Sequence, residues 1–127
     1  MAVVTALYGS ILGLMIVGLG INVTMHRVKL RVSLGDGDNP VMLRMMRIHA
    51  NAIEYLPIAV LLMLVYELNA GTRILLHVVG IALVVGRIIQ TAAMWSTPIA
   101  GAGRGIGQSL TWLSIAVLAV ANLLKLI

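Results

Sequence analysis

Arg47, Asn51, Glu54 and Tyr55 lie three, four or one positions apart in an otherwise apolar stretch. On a helix this spacing places Arg47, Asn51 and Glu54 on one stripe, with Tyr55 beside it. Arg87 and Arg104 are further isolated cations in apolar surroundings. Guanidinium groups stay charged and grip carboxylates and other anions with paired N–H donors. Glu54 is the one carboxylate among Arg47, Asn51, Arg87 and Arg104, so positive charge is in excess. That leaves two readings open: pairing between helices, or a seat for a bound anion. The other candidates are weaker. His26 and His77 are lone imidazoles suited to packing or an interface, and His49 points away from the stripe. No set of metal ligands accompanies them. With no cysteine, the chain offers no disulfide, thiolate metal site or cysteine nucleophile. The glycines from Gly101 to Gly107 imitate a phosphate loop, but no strand precedes them.

The elements that position these residues are membrane spans. The chain has 127 residues, of which 61% are apolar and 10% charged, and its mean hydropathy is +1.06. A soluble domain carries about 25% charged residues, and this chain could not cover a water-facing surface. An ordinary cytosolic enzyme, a disordered chain and a nucleic-acid-binding module are excluded. Aromatic residues amount to only 4%, too few to stack on bases. A span needs about 20 apolar residues. Four stretches qualify: about 2–27, 41–68, 73–95 and 105–127. The first is expected to be a retained span, because no basic segment precedes it and Arg27, Lys29 and Arg31 follow it. Residues 33–40 and 96–105 read as loops and 69–72 as a tight turn, with Pro40 in a first helical turn. The middle spans hold internal charges. Neither has the strongly charged face of a helix lying on the membrane surface. The expected fold is an all-α membrane protein of one domain, a four-helix bundle running up and down.

Charge sets the expected orientation. Arg27, Lys29, Arg31, Arg44, Arg47, Arg87 and Arg104 belong to one side, Arg73 and Lys125 to the other. Basic residues stay cytoplasmic, so both termini are expected on the non-cytoplasmic side. The same excess of positive charge suits anionic lipid headgroups. At 1.5 Å per residue, Glu54 lies about 18 Å along the second span and Arg87 about 12 Å from the end of the third. A Glu54–Arg87 ion pair is therefore expected between neighbouring helices.

The run from Arg47 to Pro57 (Arg-Ile-His-Ala-Asn-Ala-Ile-Glu-Tyr-Leu-Pro) resembles the second-helix signature of the MAPEG family, the membrane-associated proteins of eicosanoid and glutathione metabolism. Arg31-Val-Ser, the Gly-Asp-Gly-Asp-Asn-Pro loop, Gly86-Arg87 and Arg104 agree with it. The likeness covers essentially the whole chain and is strongest to the short bacterial branch, which implies a bacterial inner membrane. The resemblance implies a homotrimer that binds glutathione between protomers near the cytoplasmic face. Arg27, Arg47, Asn51, Glu54, Tyr55, Arg87 and Gln90 would contact it, and Arg104 would stabilise its thiolate. No metal is implied. The reaction would be conjugation of a lipophilic small molecule, or reduction of a peroxide, with glutathione as cosubstrate. In the leukotriene C and prostaglandin E synthases, tyrosines on helix three contact glutathione. Gln90 and Met94 stand at the matching places here, and Ala50 stands where prostaglandin E synthase has an arginine. The arachidonate-derived activities are therefore unsupported. A non-catalytic lipid or thiol binder of the same fold is the alternative. A transporter is the weakest reading, because no inverted repeat or broken helix is visible.

Overall fold

The computed structural model describes residues 1–96 and 101–127 and contains four helices: α1 (Val3–Leu30), α2 (Pro40–Leu68), α3 (Arg73–Ser96) and α4 (Ala102–Leu124). Each is long and apolar enough to cross a membrane. Two boundaries differ materially from the sequence expectation. Helix α1 runs on to Leu30 and ends where Arg31 turns left-handed, its N–H bonded to the carbonyls of Arg27 and Val28. Three further polar or apolar residues thus extend the span as an ordinary last turn, with Arg27 and Lys29 near the negative end of the helix. Helix α4 begins at Ala102, so Arg104 lies inside its first turn instead of ahead of it. Part of the expected second loop, residues 97–100, falls outside the described residues.

Local chemistry explains the helix ends. Pro40 occupies the first turn of α2, and the Asn39 side chain accepts from the N–H groups of Val41 and Met42 at 2.9 and 3.2 Å. The N-cap residue of α1, Ala2, has no capping side chain. A residue from the far end of α2 does this work. The Glu67 carboxylate accepts from the backbone N–H of Val4 at 2.9 Å and of Thr5 at 2.7 Å. Two of the first-turn donors, otherwise without partners, gain a charged acceptor at the positive end of the helix. At the same end of the bundle, Asn122 donates to the Leu62 carbonyl and Lys125 to the Ala70 carbonyl, tying α4 to α2 and its following turn.

Small residues let the helices close. At Gly107 a Cβ would run into the backbone of Gly86 and Gln90, so α3 and α4 meet backbone to backbone there. At Gly80 a Cβ would occupy the ring of Tyr8, which packs flat against α3 and reaches His77 Nδ1 with its hydroxyl at 3.0 Å. Leu12, Leu56, Met63, Leu76, Leu83 and Leu118 fill the interior. Met42 and Met45 are buried there too, which makes the methionine-rich start of α2 a packing feature. Large apolar side chains such as Leu14, Val28, Ile74 and Trp112 point outward, the pattern a helix surrounded by hydrocarbon requires.

Candidate functional site

Arg87 is the centre of the interior polar chemistry. It is 2% exposed and sits where α2, α3 and α4 meet. A cation in such a place needs several acceptors. Its Nη1 donates to Asn51 Oδ1 at 2.7 Å, and its Nη2 donates to the Thr111 hydroxyl and, at 3.4 Å, to Gln108 Oε1. The Thr111 hydroxyl gives its own proton to the Gly107 carbonyl one turn back, which leaves its lone pairs for Arg87. Gln90 closes the ring: its Nε2 donates to Asn51 Oδ1 at 2.9 Å and to Gln108 Oε1 at 2.8 Å. The close approach at Gly86 and Gly107 brings α3 and α4 near enough for these short side chains to meet.

The expected Glu54–Arg87 pair does not form. Glu54 pairs with Arg47 instead, at 3.7 Å, and the two side chains are 47% and 57% exposed. The reason is rotational. Asn51 faces the α2–α3–α4 interior, whereas Glu54, three positions on, projects from the open side of α2. Arg87 finds neutral oxygens there, and no carboxylate contacts it among the described residues.

The remaining expected site residues fall into separate groups. Tyr55 is half-buried and meets Trp112 edge-on, with ring centroids 6.4 Å apart. Arg104 is half-buried, one helical turn before Gln108, and its guanidinium has no hydrogen-bond or ion-pair partner among the described residues. Arg27 belongs to a different neighbourhood. Its Nη1 donates to the Gly35 carbonyl at 2.8 Å and its Nη2 approaches the Met46 sulfur at 3.5 Å, which ties α1 to its following loop and to α2. His49 packs beside Gly20 on α1, away from the Arg47–Glu54 stripe. His26 bonds the Asn22 carbonyl and meets Trp95 edge-on.

The structure thus joins Asn51, Arg87 and Gln90 in one network, pairs Arg47 with Glu54, and leaves the Arg104 side chain without a partner among the described residues, one turn of α4 from Gln108. Sequence reasoning missed Gln108 and Thr111. The signal was present: they follow Arg104 by four and seven residues and so share its face of α4. Met94, at one of the two positions that the resemblance matches to a tyrosine, is buried. Gln90, at the other, is turned into the network.

Chemically, the site offers the Arg87-backed amide of Asn51, an exposed carboxylate on Glu54 and, on Arg104, a guanidinium unpaired among the described residues. This combination suits a ligand with both anionic and cationic ends. Comparison with known proteins bears on the family of the chain. Residues 5–124 match the family model described as "MAPEG family". Over 120 residues the chain is 34% identical to inner membrane protein YecN of Escherichia coli strain K12, covering 94% of this chain and 90% of that protein. YecN from Escherichia coli O6:H1 strain CFT073 is similar to the same extent.

Proposed function

Because this chain belongs to the MAPEG family, we propose that it is a glutathione-dependent membrane transferase acting on lipophilic electrophiles, in the inner membrane of a bacterium. Glutathione sits between protomers of a homotrimer, on the stripe of α2 that carries Arg47, Asn51, Glu54 and Tyr55. Arg47 holds a carboxylate of the tripeptide and Glu54 its amino group. Arg87 and Gln90 support the seat from inside, and Arg27 borders it from the end of α1. Both termini lie on the non-cytoplasmic side, so that the basic end of the bundle, and the thiol, face the cytoplasm.

Arg104 supports the chemical step. A free thiol has a pKa of about 8.5, so little thiolate exists at neutral pH. A guanidinium beside the sulfur favours the anion and does not itself exchange a proton. The electrophile arrives through the bilayer, and the thiolate sulfur forms the new bond to its electrophilic carbon as the leaving group departs. With a peroxide in place of the electrophile, the sulfur attacks the terminal oxygen, the O–O bond breaks to release the alcohol, and a second glutathione displaces the oxygen left on sulfur as water, giving glutathione disulfide. The protein supplies no nucleophile, in keeping with a chain free of cysteine.

The observation that carries this reading is Arg104: a half-buried guanidinium with no partner among the described residues, one turn from the Asn51–Arg87–Gln108 network. A second reading, a non-catalytic thiol or lipid binder of the same fold, draws on Gln90 and Met94, which leave α3 without a phenol at the site. Calorimetric titration of the purified protein with glutathione, followed by turnover of 1-chloro-2,4-dinitrobenzene, separates the two. Binding with turnover supports the transferase. Binding without turnover of this or a peroxide substrate supports the binder. Absence of binding removes both in their thiol form.

A further inference from the structure

We propose that Arg87 and Gln90 are positioning residues that lock the Asn51 side chain with its amide nitrogen outward, so that position 51 can recognise only a hydrogen-bond acceptor on the ligand. The inference rests on the proposed glutathione site for the choice of ligand, and on the network alone for the lock itself.

Asn51 Oδ1 receives two donors at once, Arg87 Nη1 at 2.7 Å and Gln90 Nε2 at 2.9 Å. A guanidinium has donors and no acceptor. The atom of Asn51 that faces it must therefore be the oxygen, and the reversed amide would set N–H against N–H. Arg87 is itself fixed on its other nitrogen by Thr111 and Gln108, and it is 2% exposed, so it cannot follow Asn51 if the amide turns. Both lone-pair directions of Oδ1 are occupied. The Asn51 nitrogen has no partner among the described residues and is not enclosed, whereas Arg87 Nε, Gln90 Oε1 and Gln108 Nε2 are enclosed without one. Among the described residues, the –NH2 of Asn51 is therefore the one unpartnered polar group of the network that is not enclosed, at the edge of the Arg47–Glu54 stripe. A polarised amide backed by a cation is a stronger donor than a free one. Arg87 thus acts on a ligand through Asn51 and does not touch it.

Two measurements test this, one without ligand. In protein labelled with 15N-asparagine in detergent micelles, the Asn51 side-chain signal is assigned by its loss in Asn51→Ala. Arg87→Gln should move that signal to the position of a solvent-exposed asparagine while the Asn22 and Asn122 signals stay in place. Arg87→Lys should give an intermediate shift. Gln90→Met, which removes one donor and leaves Arg87, serves should Arg87→Gln fail to fold. An unmoved Asn51 signal in Arg87→Gln and Gln90→Met overturns the lock. The second measurement is a double-mutant cycle by glutathione titration. Arg87→Gln should weaken binding about tenfold in the wild-type background and by less than about twofold once Asn51 is alanine. Equal losses in both backgrounds would mean that Arg87 meets the ligand itself, and would overturn the proposal. Asn51→Asp keeps an oxygen towards Arg87 but turns a second oxygen outward; it should stay folded and lose glutathione, and wild-type affinity there would refute the donor assignment. If wild-type protein binds no glutathione while the Asn51 signal still moves in Arg87→Gln, the glutathione reading falls and the lock stands.

Discussion

Glu67 fastens the start of α1 to the end of α2, and its removal should weaken that docking. Its carboxylate takes the N–H groups of both Val4 and Thr5, and no other side chain caps the start of α1 among the described residues, since Ala2 supplies no acceptor. A hydrogen bond to a charged group contributes about 1.5–3 kcal/mol when buried. Loss of an ordinary cap costs about 1 kcal/mol, and the helix-terminus charge effect adds about 0.3–1 kcal/mol. Glu67 is only half-buried, so the lower values apply, and Glu67→Ala should destabilise the docking of α1 by about 2 kcal/mol. Glu67→Gln keeps one good acceptor and should cost about half as much, on the order of 1 kcal/mol. Amide hydrogen exchange in micelles reads this locally. The Val4 and Thr5 amides should exchange about 30-fold faster in Glu67→Ala, because 1.4 kcal/mol corresponds to a factor of ten. The amides at the centre of α3 should be unaffected. Unchanged exchange at Val4 and Thr5 would refute the capping role.

Other outcomes follow from the same contacts. Glu54→Ala should leave thermal stability within about 0.5 kcal/mol of wild type, because its ion pair with Arg47 is exposed, while glutathione titration shows a clear loss of affinity; a large drop in melting temperature would mean that Glu54 supports the fold. Gly107→Val should prevent the close approach of α3 and α4, release Arg87 from Thr111 and lower the melting temperature by more than any surface substitution; near wild-type melting would contradict the packing. A reporter fused after Ile127 should be active only on the non-cytoplasmic side, and cytoplasmic activity would reverse the proposed orientation.

The four helices were legible because each is a predominantly apolar stretch long enough to cross a bilayer, and the Asn39-Pro40 start of α2 follows from capping chemistry. The ends of α1 and α4 shifted by a few residues because Leu30 and Ala102 continue a helix as readily as they leave one. The placement of Arg47 and Glu54 on one side of α2 was legible from spacing within one helix, whereas the inward turn of Asn51 was not. The partner of Arg87 was not legible either. Which acceptor it meets depends on how α2 turns about its axis against α3 and α4, and the pattern of one helix carries no record of that rotation. Charge matching pointed to Glu54, while the bundle supplies Asn51, Gln108 and Thr111, neutral oxygens that lie deeper. Glu67 escaped notice for a related reason: its role depends on the first turn of α1 meeting the last turn of α2, a contact between residues more than sixty positions apart.

The central claim is that bound glutathione is held as a thiolate by Arg104, and the ultraviolet absorbance of the thiolate tests it most directly. Difference spectra of glutathione with and without the purified protein should show a thiolate band at neutral pH, well below the pKa of about 8.5 of a free thiol. The band should disappear in Arg104→Ala with only modest loss of affinity, and return in part in Arg104→Lys, since a sulfur responds to point charge more than to the fork of a guanidinium. Glutathione that binds wild-type protein without any thiolate band, or a band that persists unchanged in Arg104→Ala, would contradict the account.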